Sequence, residues 1–152
     1  MKTKMILAAC AALLSPLSQA EEPHHHEKIT APNGGRVLTS VEPHLEFYRM
    51  DDGKVKITAV DDDGKVRPIG DTEVTVTGGE RSKPTRLTFS KNGDALISDK
   101  AFPEGKSLPV VVRIKTSADA KPVYERFSLN LATCPECEHP EYACSCEHDH
   151  DH

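Results

Sequence analysis

Between Arg36 and Ala132 the sequence is cut into short β-rich runs by turn residues, and this punctuation limits the folds open to it. "RVLTS", "HLEFYRM", "KVKITAVD", "TEVTVTG", "TRLTFS", "ALIS", "PVVVRIKTS" and "VYERFSLNLA" are each rich in Val, Ile, Thr, Phe or Tyr. Between them lie "DDG", "DDDG", "GG", "NG" and "EG", residues that accept a positive φ or hydrogen-bond their own backbone in turns. In the third run Val55, Ile57 and Ala59 alternate with Lys54, Lys56 and Thr58. Successive side chains of a half-buried strand point to opposite faces in this way. No stretch of a dozen residues carries helical periodicity. Seven to eight short antiparallel strands at roughly ten-residue spacing predict an all-β, immunoglobulin-like β-sandwich over 36–132.

The core of such a sandwich is expected from Val37, Leu45, Phe47, Val55, Ile57, Val74, Val76, Leu87, Phe89, Leu96, Ile97, Val110, Val112, Ile114, Phe127 and Leu129. The 36–132 stretch has no Trp and no Cys, which excludes the disulfide-centred core of antibody domains. The Gly pairs at 34–35 and 78–79 lack the strand–loop–helix setting of a phosphate cradle and read as turns.

The first twenty residues, "MKTKMILAACAALLSPLSQA", have two lysines, an apolar run from Met5 to Leu14 and a Ser18-Gln19-Ala20 ending. That is the form of a secretory signal peptide cleaved after Ala20, and the run is short of the roughly 20 apolar residues that span a bilayer. "LAAC" offers Cys10 as a lipoprotein acylation site, the lesser alternative. The expected location is periplasmic or secreted. Residues 21–35, with His24–His26, read as a flexible polar leader. Removing Lys2 and Lys4 leaves 17 basic against 24 acidic side chains, a net charge of −7. An acidic surface argues against nucleic acid as a partner, because phosphates need a basic face.

The tail over 133–152 is a different kind of sequence. From Cys134 onward, "CPECEHPEYACSCEHDHDH" holds four cysteines, four histidines and six acidic side chains. Cys134 and Cys137 form a C-x2-C pair, and Cys144 and Cys146 follow as C-x-C. Two close pairs joined by a short loop can bring four sulfurs within roughly 4 Å of one another, as a tetrahedral ion requires. The carboxylates of Glu136, Glu138, Glu141, Glu147, Asp149 and Asp151 disfavour bare thiolates, whereas a bound cation deprotonates them. Cys134, Cys137, Cys144 and Cys146 are therefore the expected primary metal ligands, with His139, His148, His150 and His152 auxiliary. Soft sulfur favours Zn²⁺ or Cu⁺. Cys144, Cys146 and the last three histidines share one parity. An extended tail would space them about 6.6 Å apart, a string of adaptable ligands rather than one pocket.

Other readings of the tail stand beside this one. In an oxidising compartment an even set of cysteines also reads as disulfides, with cross-pairing between the two couples favoured over a strained Cys144–Cys146 ring. A thiol–disulfide oxidoreductase would need its C-x-x-C at a helix N-terminus in a βαβ setting, and none precedes Cys134. His44 and Glu46 would share one face of a strand and read as a surface pair. No Ser/His/Asp or paired-carboxylate arrangement rises above background, so no enzymatic reaction is expected.

The segments "APNGGRVL", "VEPHLEFY" and "KVKITAVDDDGK", with the "CPEC…EYACSC" end, resemble a small secreted β-sandwich module. This module is similar to the N-terminal domain of heavy-metal efflux adaptor proteins. The resemblance implies a periplasmic role in handling a transition-metal ion, with a metal efflux or acquisition component as partner. It marks Gly34, Gly35, His44 and Glu46 as family positions. Asn33 stands where the adaptors usually have His, and the long coiled-coil hairpin of a full adaptor is absent. The combined expectation is a zinc- or copper-binding protein for buffering, scavenging or delivery. The alternative is an interaction domain whose tail is closed by disulfides or a structural zinc.

Overall fold

A computed structural model describes residues 28–146, which form ten strands and one 3₁₀ turn, Glu141–Ala143. The strands are β1 (Arg36–Leu38), β2 (His44–Arg49), β3 (Val55–Val60), β4 (Val66–Arg67), β5 (Glu73–Gly78), β6 (Thr85–Leu87), β7 (Phe89–Asn92), β8 (Ala95–Ser98), β9 (Ser107–Lys115) and β10 (Val123–Asn130). They pair antiparallel in two sheets. One has the order β1-β2-β3-β8-β7 with β4 also on β3, and the other runs β10-β9-β5-β6. The all-β sandwich is thus the fold, with ten strands where seven or eight were expected. "TRLTFS" accounts for one, because it splits at Thr88: Leu87 ends a strand of one sheet and Phe89 starts a strand of the other. The Thr88 N–H donates to Asp99 Oδ1 at 2.9 Å and its carbonyl accepts the Asp99 N–H at 2.8 Å, which holds the crossing. The other is β4, two residues long and below the reach of any periodicity.

The turn chemistry fixes the registers. Met50 N–H donates to Lys54 O and Gly53 N–H to Met50 O, and the next hairpin repeats the pattern at Asp61, Lys65 and Gly64. Gly53 and Gly64 take φ of 80° and 75°, the left-handed conformation that closes such loops. Arg49 then pairs with Val55, so Phe47 falls opposite Ile57.

Both sheets turn their apolar faces inward. Phe47 of β2 meets Phe127 of β10 edge to face, with centroids 5.1 Å apart, and Ile57, Val76, Val112 and Ile114 are fully enclosed. Three core expectations are corrected. Leu38, not Val37, faces inward, because β1 pairs Leu38 with inward-facing Leu45. Ile97 pairs with Lys56 and is only half-buried. Phe102, absent from the expected core, is buried against Gly78. A Cβ on Gly78 would stand 2.3 Å from its ring. Gly78 is therefore the end of β5 shaped to receive Phe102, and not a turn residue.

The last part of the expected flexible leader is laid down on the six-stranded sheet. Gly34 N–H closes a turn on Ala31 O at 3.1 Å, with Pro32 at the second position that such turns favour. The expected signal peptide, Cys10, His24–His26 and the tail residues His148, His150 and His152 lie outside the described residues. Among the described residues no helix is long and apolar enough to cross a membrane.

Candidate metal centre

Beyond β10 the chain closes a tight loop before it reaches the second cysteine pair. Thr133 bridges Pro140, Cys134 N–H donates to His139 O at 2.8 Å, and Glu138 N–H donates to Cys134 O at 3.1 Å. Pro135 restrains the first step of this knuckle, and Glu138 completes it at φ 61°, a left-handed conformation for a non-glycine residue. The backbone N–H groups of Cys137 and Glu136 point at the Cys134 sulfur and hold its thiol pKa down at about 7. Amide donors aimed at a sulfur favour its thiolate.

The second half is fastened by Tyr142. Glu141 N–H donates to Ala132 O at 2.8 Å, and the 3₁₀ turn carries Tyr142 into the sandwich, where it is 3% exposed. Its ring stands edge-on to Phe47 at 6.2 Å, and its hydroxyl oxygen accepts the Arg49 N–H at 3.2 Å. Its carbonyl accepts from Arg36 Nη1 at 3.4 Å. Burial pushes the phenol pKa up. The tail up to Cys146 is thus a docked element rather than the loose string expected from its parity.

Docking gathers the sulfurs. One Sγ from each of Cys134, Cys137, Cys144 and Cys146 lies within 4.8 Å of the other three. Cys134 and Cys144 are 3.3 Å apart, and Cys137 and Cys144 3.6 Å. A tetrahedron with metal–sulfur bonds near 2.3 Å has edges of about 3.8 Å, so the donor set fits one such ion. These separations far exceed the ~2.05 Å of a disulfide, and none joins the four. The extended spacing expected between Cys144 and Cys146 is corrected: Cys144 Sγ accepts the Cys146 N–H at 3.3 Å, curling the C-x-C segment round its first sulfur. Cys134 is buried and the other three half-buried, so an ion would be reached from one side.

Full ionisation of the four thiols would require a cation. The sulfurs of Cys137 and Cys144, with burial, push the Cys146 thiol strongly up. At Cys144 the Cys146 N–H favours the thiolate, but burial and the sulfurs of Cys134 and Cys137 outweigh it and raise the thiol. Four sulfurs in contact titrate as one unit, and they cannot all ionise unless a positive ion replaces the protons.

Of the expected auxiliary ligands, His139 does not join the cluster. Its ring lies over Gly34, with Nδ1 3.8 Å from where a Cβ on that residue would stand. His44 and Glu46 do share a face of β2, but both are buried, which corrects their reading as a surface pair. Glu46 Oε1 accepts the N–H groups of Asn33 at 2.9 Å and Gly35 at 2.8 Å, and Oε2 accepts Asn33 Nδ2 at 2.6 Å. A Cβ on Gly35 would lie 2.3 Å from Phe47 O. The Asn-Gly-Gly turn therefore clasps a buried carboxylate and covers β2. Sequence alternation places Glu46 on the outer face but carries no sign of the cover, which comes from a distant segment. No protein-family model, curated protein or solved structure matches the chain, so chemistry here is read from geometry alone.

Proposed function

We propose that this protein binds a transition-metal ion, Zn²⁺ or Cu⁺, through Cys134, Cys137, Cys144 and Cys146, and buffers, scavenges or delivers it. The observation that carries this reading is the approach of all four sulfurs to within 4.8 Å without a disulfide. Thiolates are soft donors and select soft or borderline ions. The half-exposed side of the cluster supports exchange with a partner. A periplasmic or secreted location follows from the signal-like first twenty residues, and the resemblance to efflux-adaptor modules makes a metal efflux or acquisition component the partner. His148, His150 and His152 would be auxiliary ligands at the entrance. The role is one of binding, with no reaction assigned.

The burial of Tyr142 favours a second reading, in which the ion is a structural cap on an interaction domain. Metal analysis with a thiol count on the full chain, beside a variant with all four cysteines changed to serine, tests the first. One thiolate-bound ion per parent chain, lost in the variant and passed to a chelator within minutes, is expected of a handling protein. An ion that resists exchange until the protein unfolds supports the cap. Two disulfides and no metal in native material would refute both metal readings.

A further inference from the structure

His44 lies at the opposite end of β2 from the Tyr142 anchor, about 17 Å along the strand from Arg49. It is 9% exposed. Its Nδ1 stands 2.9 Å from Val41 O, and a carbonyl oxygen only accepts, so Nδ1 carries a hydrogen. That leaves the neutral ring with its lone pair on Nε2, and Nε2 faces Asp62 Oδ1 at 3.0 Å. Lone pair against carboxylate is repulsive unless a positive species sits between them. Glu42 adds a second carboxylate, 3.6 Å from Nδ1, and one ligand atom from each of Glu42, His44 and Asp62 lies within 4.8 Å of the other two.

The surrounding charges sharpen the case. In the β3–β4 turn Asp61 pairs with Arg67 at 2.5 Å and Asp63 with Lys65 at 3.4 Å. Among the described residues, Asp62 between them has only His44 as its ion-pair partner. A proton on Nε2 would leave the two carboxylates and the imidazolium at net −1, whereas a divalent ion with neutral imidazole brings the group to zero. An Nδ1–H bonded to a backbone carbonyl is also the usual outer support of a metal-ligating histidine.

We propose that Glu42, His44 and Asp62 form a second metal site for a divalent first-row ion with nitrogen and oxygen preference, distinct in chemistry from the thiol cluster. Metal bonds of about 2.1 Å to Nε2 and Asp62 across the 3.0 Å gap meet close to a right angle. That is the angle of octahedral coordination, with water completing the shell, and it suits Mn²⁺ or Ni²⁺ better than Cu⁺. The site does not depend on the reading of the tail.

Mn²⁺ added to the full chain, with the thiol cluster first filled by one equivalent of Zn²⁺, is the probe, and amide NMR line broadening is the readout. Broadening centred on His44 and Asp62 is expected at the lowest Mn²⁺. Asp62→Asn and Glu42→Gln, both at exposed side chains, should each weaken it tenfold or more with the amide spectrum otherwise unchanged. Broadening confined to the histidines after Cys146, spread evenly over acidic surface, or indifferent to both substitutions would overturn the proposal. His44 and Asp62 would then be an ion pair only.

Discussion

Replacing Tyr142 tests whether the cysteine-bearing tail belongs to the sandwich. The side chain is 3% exposed, lies edge-on to Phe47 and accepts the Arg49 N–H. A buried tyrosine of this kind removes about 200 Å² from water, worth about 5 kcal/mol as an upper bound. Tyr142→Ala should therefore cost about 3–5 kcal/mol, in line with other buried aromatic truncations. Tyr142→Phe keeps the ring and deprives only the Arg49 N–H, at about 1–2 kcal/mol. The assay is guanidinium unfolding of the reduced, metal-free full chain, since a bound ion would add its own stabilisation. The alanine variant should also release Zn²⁺ to a chelator faster, because its knuckle has lost its seat. A cost below about 1 kcal/mol for Tyr142→Ala would refute the docked tail.

Three other outcomes follow from particular contacts. Glu46→Gln replaces an acceptor-only group with one whose amide faces the Asn33 Nδ2 donor, and should destabilise the fold by about 2–3 kcal/mol in denaturant titration. Glu138→Gly relieves the φ of 61° and should stabilise the metal-free tail by about 0.5–1 kcal/mol, seen as slower amide exchange over 134–144. The Lys65 N–H, then Arg67, hold the Asp61 pKa below its ordinary value of 3.8. A depressed folded-state pKa contributes stability above that ordinary value and loses it as pH falls through the folded one. Asp61→Asn should accordingly flatten the fall in thermal midpoint below pH 4, and an unchanged slope would contradict the pairing.

Much of the fold was legible because it is local. The alternation at Val55, Ile57 and Ala59 and the Asp-Asp-Gly turns gave strands, faces and hairpin positions before any contact was known. What escaped was set by partners distant in sequence. Gly78 could not be seen as the seat of Phe102, nor Leu38 as the inward residue of β1, without the pairing that joins them. The sulfur cluster was legible in part from spacing, since two close pairs on a short loop can meet, although the shared parity of Cys144 and Cys146 pointed to an extended string. Its rigidity was not, because Tyr142 reads as one more residue between cysteines until Phe47 and Arg49 are placed beside it. His44 and Glu46 showed their shared face but not the Asn33 turn and the Asp62 loop that bury them.

The central claim is that the four thiolates together hold one ion, and X-ray absorption at the metal edge of the native full chain tests it most directly. The account predicts a first shell of sulfur alone, four scatterers at about 2.3 Å for Zn²⁺. A shell of nitrogen and oxygen only, or fewer than three sulfurs per ion, would contradict it.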